Sequence, residues 1–395
     1  MAAQDPAPNG AVHVRAPTDA DRRRGAGLRI VYCSFEGRYS DSPRAVHEAL
    51  LARGADHEHT WLADPAGRNP FPPGVRTVPY GGPATVAALE AADLVVANTH
   101  LPFDWTKRPG ARYLQTWHGT PLKRIHHDVL WAPEGRLARL DEDVARWDDL
   151  LSPNRASTER IRRAFAFGGP VHETGYPRND VLLGPDRDRV RAAVRAGLGI
   201  PDGVTAVLWT PTWRDDLVNR STGPGFALPL DLAAFGARLG RDHVLLLRLH
   251  DLVTGRPEVR PDGPVRDVSA HPDPRDLYLA ADLMVTDYSS TMFDFAVTGK
   301  PMIFFTYDLE LYRDRTRGFY FDLEPVAPGP LVRTGDELLT AIAAGPDDRY
   351  AARYREFRET FCHLEDGRAT DRVLDLLFGP AAAGTPTAAG VTRAG

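Results

Sequence analysis

Cysteine is nearly absent, with Cys33 and Cys362 the only two in 395 residues. That leaves no material for a disulfide framework or a thiolate zinc site, and both thiols are expected to be buried and reduced, as in a cytoplasmic protein. No run of eighteen apolar residues exists, so no membrane-spanning helix is expected. The first 26 residues lack the apolar stretch of a secretory signal. Excess positive charge is missing too: the net charge is −5 and the pI about 6.2, which argues against a surface built to grip nucleic acid. There is no Walker-A loop, GxGxxG fingerprint, HExxH or nucleophile-elbow serine. What remains is a chain with 43% hydrophobic residues and a mean hydropathy of −0.33, long enough for two sizeable cores.

Short apolar runs alternate with helical patterns, which is the signature of parallel sheets covered on both faces. Strands are predicted at 28–33, 93–98, 112–116, 149–152 and 171–173, then at 205–210, 243–249, 265–269, 282–286 and 301–306. Predicted helices lie at 43–53, 156–165, 231–239, 276–281, 290–298 and 337–344, with a long helical tail from 348 to about 378. The Gly- and Pro-bounded, charged stretch 180–201 marks the boundary between two doubly wound α/β domains, 27–185 and 186–379. Residues 1–26 and 380–395 read as disordered tails.

Four strand-end clusters carry candidate chemistry. The window 105–127 (WTKRPGARYLQTWHGTPLKRIHH) holds five Lys or Arg, Lys123 among them, and three His without a single acid. Its Trp117-His118-Gly119-Thr120 segment follows a predicted strand, where open α/β sheets bind ligands, and Gly119 permits close backbone approach. His118 is thus a candidate ligand-facing residue, against the plainer reading of a surface His beside a turn. The run 281–294 (ADLMVTDYSSTMFD) places Ser289 and Ser290 at a helix start, a ready phosphate site or an ordinary cap, with Thr291 and Asp294 at capping-box spacing. Tyr288 and Phe293 read as packing. Arg214, in the segment LWTPTWRDD, either forks onto phosphate or is neutralised by Asp215 or Asp216. His250 ends the apolar run 243–250 and faces either cleft or core. The acidic triplets 141–143 and 186–188 fall on helical stretches and are discounted as metal sites, and 57–59 (HEH) reads as a solvated loop. Helix 156–165 carries Arg160, Arg162 and Arg163 and a narrow apolar stripe, which favours packing on the first sheet over contact with anionic lipid.

Taken in order, the stretches YSDSPR, QTWHGTPLK, GYPRND, TPTWRDD, LLRLH and the run 276–322 resemble the CDP-glycerol glycerophosphotransferase family, the teichoic-acid primases and polymerases, over roughly residues 28–378. The resemblance implies a GT-B-type fold, two Rossmann-like domains facing across a cleft, with the C-terminal one binding a CDP-linked donor. It implies His118 as the base that deprotonates an acceptor hydroxyl, with His250 beside it in catalysis. Arg214, Ser289, Ser290, Asp294 and Lys123 are then donor or phosphate residues, and Trp117, Gly119, Thr120, Arg178 and Asp180 acceptor-side or supporting ones. A glycine usual after the PLK segment is replaced by His126, and Asp251 stands where proline is common. The implied reaction moves glycerol phosphate, or a related polyol phosphate, from CDP-glycerol or a similar CDP-alcohol to a lipid-linked or polymer acceptor. No protein metal site is readable, although a divalent metal is compatible with the chemistry. The expected place is cytoplasmic, in transient contact with the inner membrane face. A capsule-type sugar-phosphate or glycosyl transferase on the same scaffold is the alternative, and a non-catalytic nucleotide-binding partner of an envelope polymerase a third reading.

Overall fold

The computed structural model describes residues 27–212, 214, 228–249, 258–260 and 262–380. The tails expected at 1–26 and 380–395 lie outside them, apart from Pro380. Two parallel sheets organise the chain. The first contains β1 (Arg29–Cys33), β2 (Glu58–Ala63), β3 (Thr77–Pro79), β4 (Leu94–Ala97), β5 (Arg112–Gln115), β6 (Asp149–Ser152) and β7 (Val171–Glu173), in the order β3-β2-β1-β4-β5-β6-β7. The second contains β8 (Thr205–Thr210), β9 (His243–Leu247), β10 (Val265–Asp267), β11 (Leu283–Thr286), β12 (Met302–Phe305) and β13 (Leu331–Val332), in the order β10-β9-β8-β11-β12-β13.

The apolar strand runs are continuous because each sheet is covered on both faces. Within β1 and β4, Val31, Cys33, Val95 and Ala97 enter one core, while Ile30, Tyr32, Leu94 and Val96 enter the core on the opposite face. The second sheet repeats the division, with Leu208, Met284 and Phe304 on one side and Trp209, Val285 and Ile303 on the other. Strand order reverses between β1 and β4 and again between β8 and β11. Such switch points leave a crevice at the carboxyl ends of the strands, because the two flanking loops depart in opposite directions. Both crevices carry the candidate residues.

Two expectations change. The segment 57–59 is not a solvated loop: Glu58 and His59 open β2, and the His59 ring nitrogen Nδ1 lies 2.9 Å from the Tyr32 hydroxyl. The C-terminal tail is not one helix but Ala351–Phe361 and Ala369–Phe378, broken by the segment around Gly367. Its last piece returns to the first sheet, where Val373 and Leu374 pack with Ile30, Trp61 and Val96. Helix Arg155–Ala164 packs as expected, burying Ile161 and Ala164 while Arg163 pairs with Asp128 at 2.9 Å. Both cysteines are free and buried, and burial pushes both thiols up. Among the described residues no helix is long and apolar enough to cross a membrane.

Candidate active site

The chain leaves β5 through Thr116 and then turns sharply. Trp117 takes a left-handed φ of 52°, which swings its ring onto Phe165 at 4.6 Å and turns the next residue into the crevice. His118 is half-buried rather than exposed. Its Nδ1 lies 2.5 Å from the carbonyl oxygen of Asn98, the residue after β4, and Phe35 from the loop after β1 sets its ring edge-on at 5.3 Å. A carbonyl can only accept, so Nδ1 carries the proton and Nε2 keeps a lone pair. Burial drives the His118 pKa down to about 4, opposed by the Asn98 carbonyl and the Asp41 charge. The ring is therefore neutral near pH 7 and its basic nitrogen is the one not held by the scaffold.

Gly119 donates its N–H to the Tyr176 hydroxyl at 3.2 Å. A Cβ on Gly119 would stand 2.7 Å from Ser290 Oγ and 2.9 Å from Ser290 Cβ. The loop after β5 thus touches the loop after β11, and the two switch points face one another. Ser290 precedes helix Thr291–Val297, and its hydroxyl makes no cap hydrogen bond. Ser289 Oγ instead accepts from the Thr291 hydroxyl at 3.0 Å. The predicted capping box does not form, because Asp294 is engaged elsewhere.

Asp294 accepts two hydrogen bonds from Arg178, at 2.9 and 3.0 Å, and one from Asn179 at 2.9 Å. Arg178 also donates to Asp41 at 2.9 Å and lies over the Tyr176 ring at 4.4 Å. All three charged groups are buried, and Asp294 and Arg178 form a salt bridge between the two halves. Desolvation raises the Asp294 carboxyl, which the Arg178 charge opposes. Asp180 accepts from the backbone N–H groups of Ala369 and Thr370 at 3.0 and 2.7 Å and so holds the start of the final helix. Thr120 Oγ accepts from Asn154 Nδ2 at 3.0 Å. The backbone of Lys123 bridges to Phe319, pinning the end of this loop to the second half.

Arg214 is 4% exposed and its fork is filled. It donates to Asp308 at 2.7 and 2.9 Å, to Asp287 at 3.0 Å and to the Thr212 carbonyl at 2.7 Å. Among the described residues its carboxylate partners are Asp287 and Asp308. Arg214 thereby fixes the start of the DYSS segment, since Asp287 also accepts from the Thr212 and Tyr288 N–H groups. Tyr288 and Phe293 pack as expected, against Tyr312 and Phe357. His250, Asp215 and Asp216 lie outside the described residues.

Residue-by-residue reading missed Asp41, Asn98, Tyr176, Glu365 and Arg38. Asp41 and Tyr176 lie inside the quoted stretches YSDSPR and GYPRND, so their signal was present without a role attached. Glu365, which accepts from the Tyr176 N–H at 3.1 Å, is pushed up to about 8 by burial. Arg38, in the loop that carries Phe35, is lowered to about 10 by burial and by repulsion from Arg248.

The model of the family described as CDP-Glycerol:Poly(glycerophosphate) glycerophosphotransferase matches residues 22–379. The chain belongs to this family. It is 38% identical over 363 residues to the teichoic acid poly(glycerol phosphate) polymerase of Bacillus subtilis (strain 168), a match covering 88% of this chain and 48% of that one. It is also 38% identical to the teichoic acid glycerol-phosphate transferase of Staphylococcus aureus (strain NCTC 8325 / PS 47), covering 88% of this chain and 92% of the relative. The chain thus spans about half of the first relative and nearly all of the second. Among solved structures it resembles the wall teichoic acid polymerase TagF, with a TM-score of 0.80 and 32% identity over 89% of this chain and 88% of that one. A histidine-to-asparagine variant of TagF soaked with CDPG matches with a TM-score of 0.81. The GT-B-like architecture expected from the sequence is the observed one.

Proposed function

We propose that this chain transfers glycerol phosphate, or a closely related polyol phosphate, from a CDP-linked donor to a hydroxyl of a lipid-linked envelope acceptor and releases CMP. The observation that carries the reading is the meeting of the loop that holds His118, at Gly119, with the Ser290 helix start, supported by family membership and by the repulsion of Arg38 by Arg248. In this reading the donor's pyrophosphate lies between the two switch points. Its two negative charges relieve the repulsion between Arg38 and Arg248 and accept from the Ser290 hydroxyl, which makes no cap hydrogen bond of its own. The same charges raise the His118 pKa from about 4 toward the operating pH, where a base is most effective.

The acceptor oxygen attacks the phosphorus that bears glycerol. Its proton passes to His118 Nε2, the new oxygen–phosphorus bond forms, and the bridging bond to the inner phosphate breaks as CMP leaves. Asn98 holds the imidazolium formed, because its carbonyl accepts from the Nδ1–H throughout. The contact between the two halves keeps water from competing as acceptor. A lipid-linked acceptor requires transient contact with the inner membrane face by a chain in whose described residues no helix is long and apolar enough to cross a membrane.

The alternative, glycosyl transfer, attacks an anomeric carbon and expels a nucleoside diphosphate. Chromatography of the spent reaction separates the two. Stoichiometric CMP from CDP-glycerol, dependent on an added hydroxyl acceptor, is the expected product, and CDP or UDP as the stoichiometric product overturns the reading.

A further inference from the structure

Two histidines and one carboxylate converge just beyond the His118 loop and take no part in the proposed reaction. His126 and His127 open a 3-10 turn, His126–Asp128, and Asp141 lies on helix Arg136–Val144. One ligand-type atom from each of the three falls within a cluster no wider than 4.8 Å. Nε2 of His127 is 2.7 Å from Asp141 Oδ1, and Nε2 of His126 is 3.7 Å from the same oxygen.

The plain alternative is an ordinary His127–Asp141 hydrogen bond at the surface. It leaves His126 unexplained. That residue holds a left-handed φ of 48° and is only 7% exposed, with its ring stacked on His100 at 5.3 Å and edge-on to Phe165 at 5.1 Å. Neither of its ring nitrogens makes a hydrogen bond of acceptable geometry among the described residues, although the Ala164 carbonyl polarises the ring. A buried imidazole without a partner is costly, and here its Nε2 points at a carboxylate and a second imidazole. A tetrahedral zinc ion, with bonds of about 2.0–2.1 Å, sets neighbouring ligand atoms roughly 3.3–3.4 Å apart. The 3.7 Å pair closes slightly and the 2.7 Å pair opens slightly to meet that spacing. His127 and Asp141 have the freedom to adjust, being 37% and 42% exposed in their side chains, and they leave a solvent side for a water as fourth ligand.

We propose that His126, His127 and Asp141 bind a divalent transition ion of the zinc type, and that the ion ties the turn after the His118 loop to helix Arg136–Val144. Nitrogen and carboxylate donors without a thiolate suit zinc or cobalt over magnesium. The ion is structural. Its ring contacts run from His126 to Phe165 and from Phe165 to Trp117, so it braces the far side of the loop without touching reacting atoms.

The test uses the full chain without a histidine tag, stripped with chelator, and titrated with Zn²⁺ by calorimetry and with Co²⁺ by ligand-field absorption. One equivalent is expected to bind with a four-coordinate cobalt spectrum and to raise the thermal midpoint. His127→Gln and Asp141→Asn should each weaken binding at least tenfold and lose the thermal shift, while circular dichroism shows them folded. Both positions are partly exposed, so at least one variant remains available if the other misfolds. Failure of the unaltered protein to take up either ion at one equivalent overturns the proposal. So does binding that neither variant weakens, which would place the ion among other histidines of the thirteen in the chain, and so does equal preference for Mg²⁺.

Discussion

Replacing Gly119 with alanine tests whether the two halves meet at the site as closely as the structure has them. The added methyl would sit 2.7 Å from Ser290 Oγ and 2.9 Å from Ser290 Cβ. A serine hydroxyl can rotate away, but its Cβ moves only with the backbone. Relief therefore requires the loops to separate by roughly 0.5 Å or more. Overpacking of this kind costs about 1–3 kcal/mol, and a misplacement approaching 1 Å at a reacting centre costs up to about 10²-fold in rate. Ser290→Gly removes both opposing atoms and retains a residue tolerated at a helix start, at a few tenths of a kcal/mol. The double variant should recover most of the stability lost by Gly119→Ala while lacking the Ser290 hydroxyl. Urea midpoints for the four proteins of this cycle give the coupling directly. Additive single effects, with no recovery in the double variant, would refute the contact.

Ser290→Ala should weaken CDP-glycerol binding, by about 1.5–3 kcal/mol if the hydroxyl bonds an ionised oxygen, whereas Ser289→Ala should mainly cost stability, about 0.5–1.5 kcal/mol, through its Thr291 bond; equal donor affinity in both variants, by calorimetry, would sink the distinction. Arg178→Ala strands Asp41 and Asp294 without a counter-charge and should destabilise by about 3–5 kcal/mol in urea titration; a loss under about 1 kcal/mol would mean that solvent screens the network. Stability should fall as pH is lowered from 6.5 toward 4.5. Burial lowers His47, His118 and His126 to about 4 from an unfolded value of 6.5, so the unfolded chain binds more protons there. His57 and His59, also lowered by burial, act in the same direction, while Glu365, raised to about 8, and the raised Asp180 and Asp294 carboxyls oppose them. Thermal midpoints that rise on acidification through this window would contradict the burial of these rings.

The regular parts of both sheets were legible because their strands are continuous apolar runs bounded by turns, as in DLVVAN before Thr99 and LMVT before Asp287. Strand β2 was not, since its polar opening HEH hides residues whose partners, Arg29 and Ile30, are distant in sequence. The two-residue β13 offers no period at all. The position of the candidate site was legible for a similar reason: WHG and DYSS follow strands, and strand ends at switch points line crevices. The partners of its charged residues were not. Arg214 looked at Asp215 and Asp216 along the chain, while its bonds reach Asp287 and Asp308, 73 and 94 residues away. Asp294 fits a local capping box, yet a buried guanidinium 116 residues away claims it. Long-range ion pairing overrides local pattern where desolvation makes an unpaired charge more costly than an unmade cap.

The most direct test of the central claim is single-turnover CMP release by His118→Gln, alongside its affinity for CDP-glycerol. A base that acts only as the hydroxyl is deprotonated should leave donor affinity within about threefold and cut the rate by ~10²–10⁴. Donor affinity unchanged with CMP release within threefold of the unaltered protein would remove His118 from the chemistry and contradict the account.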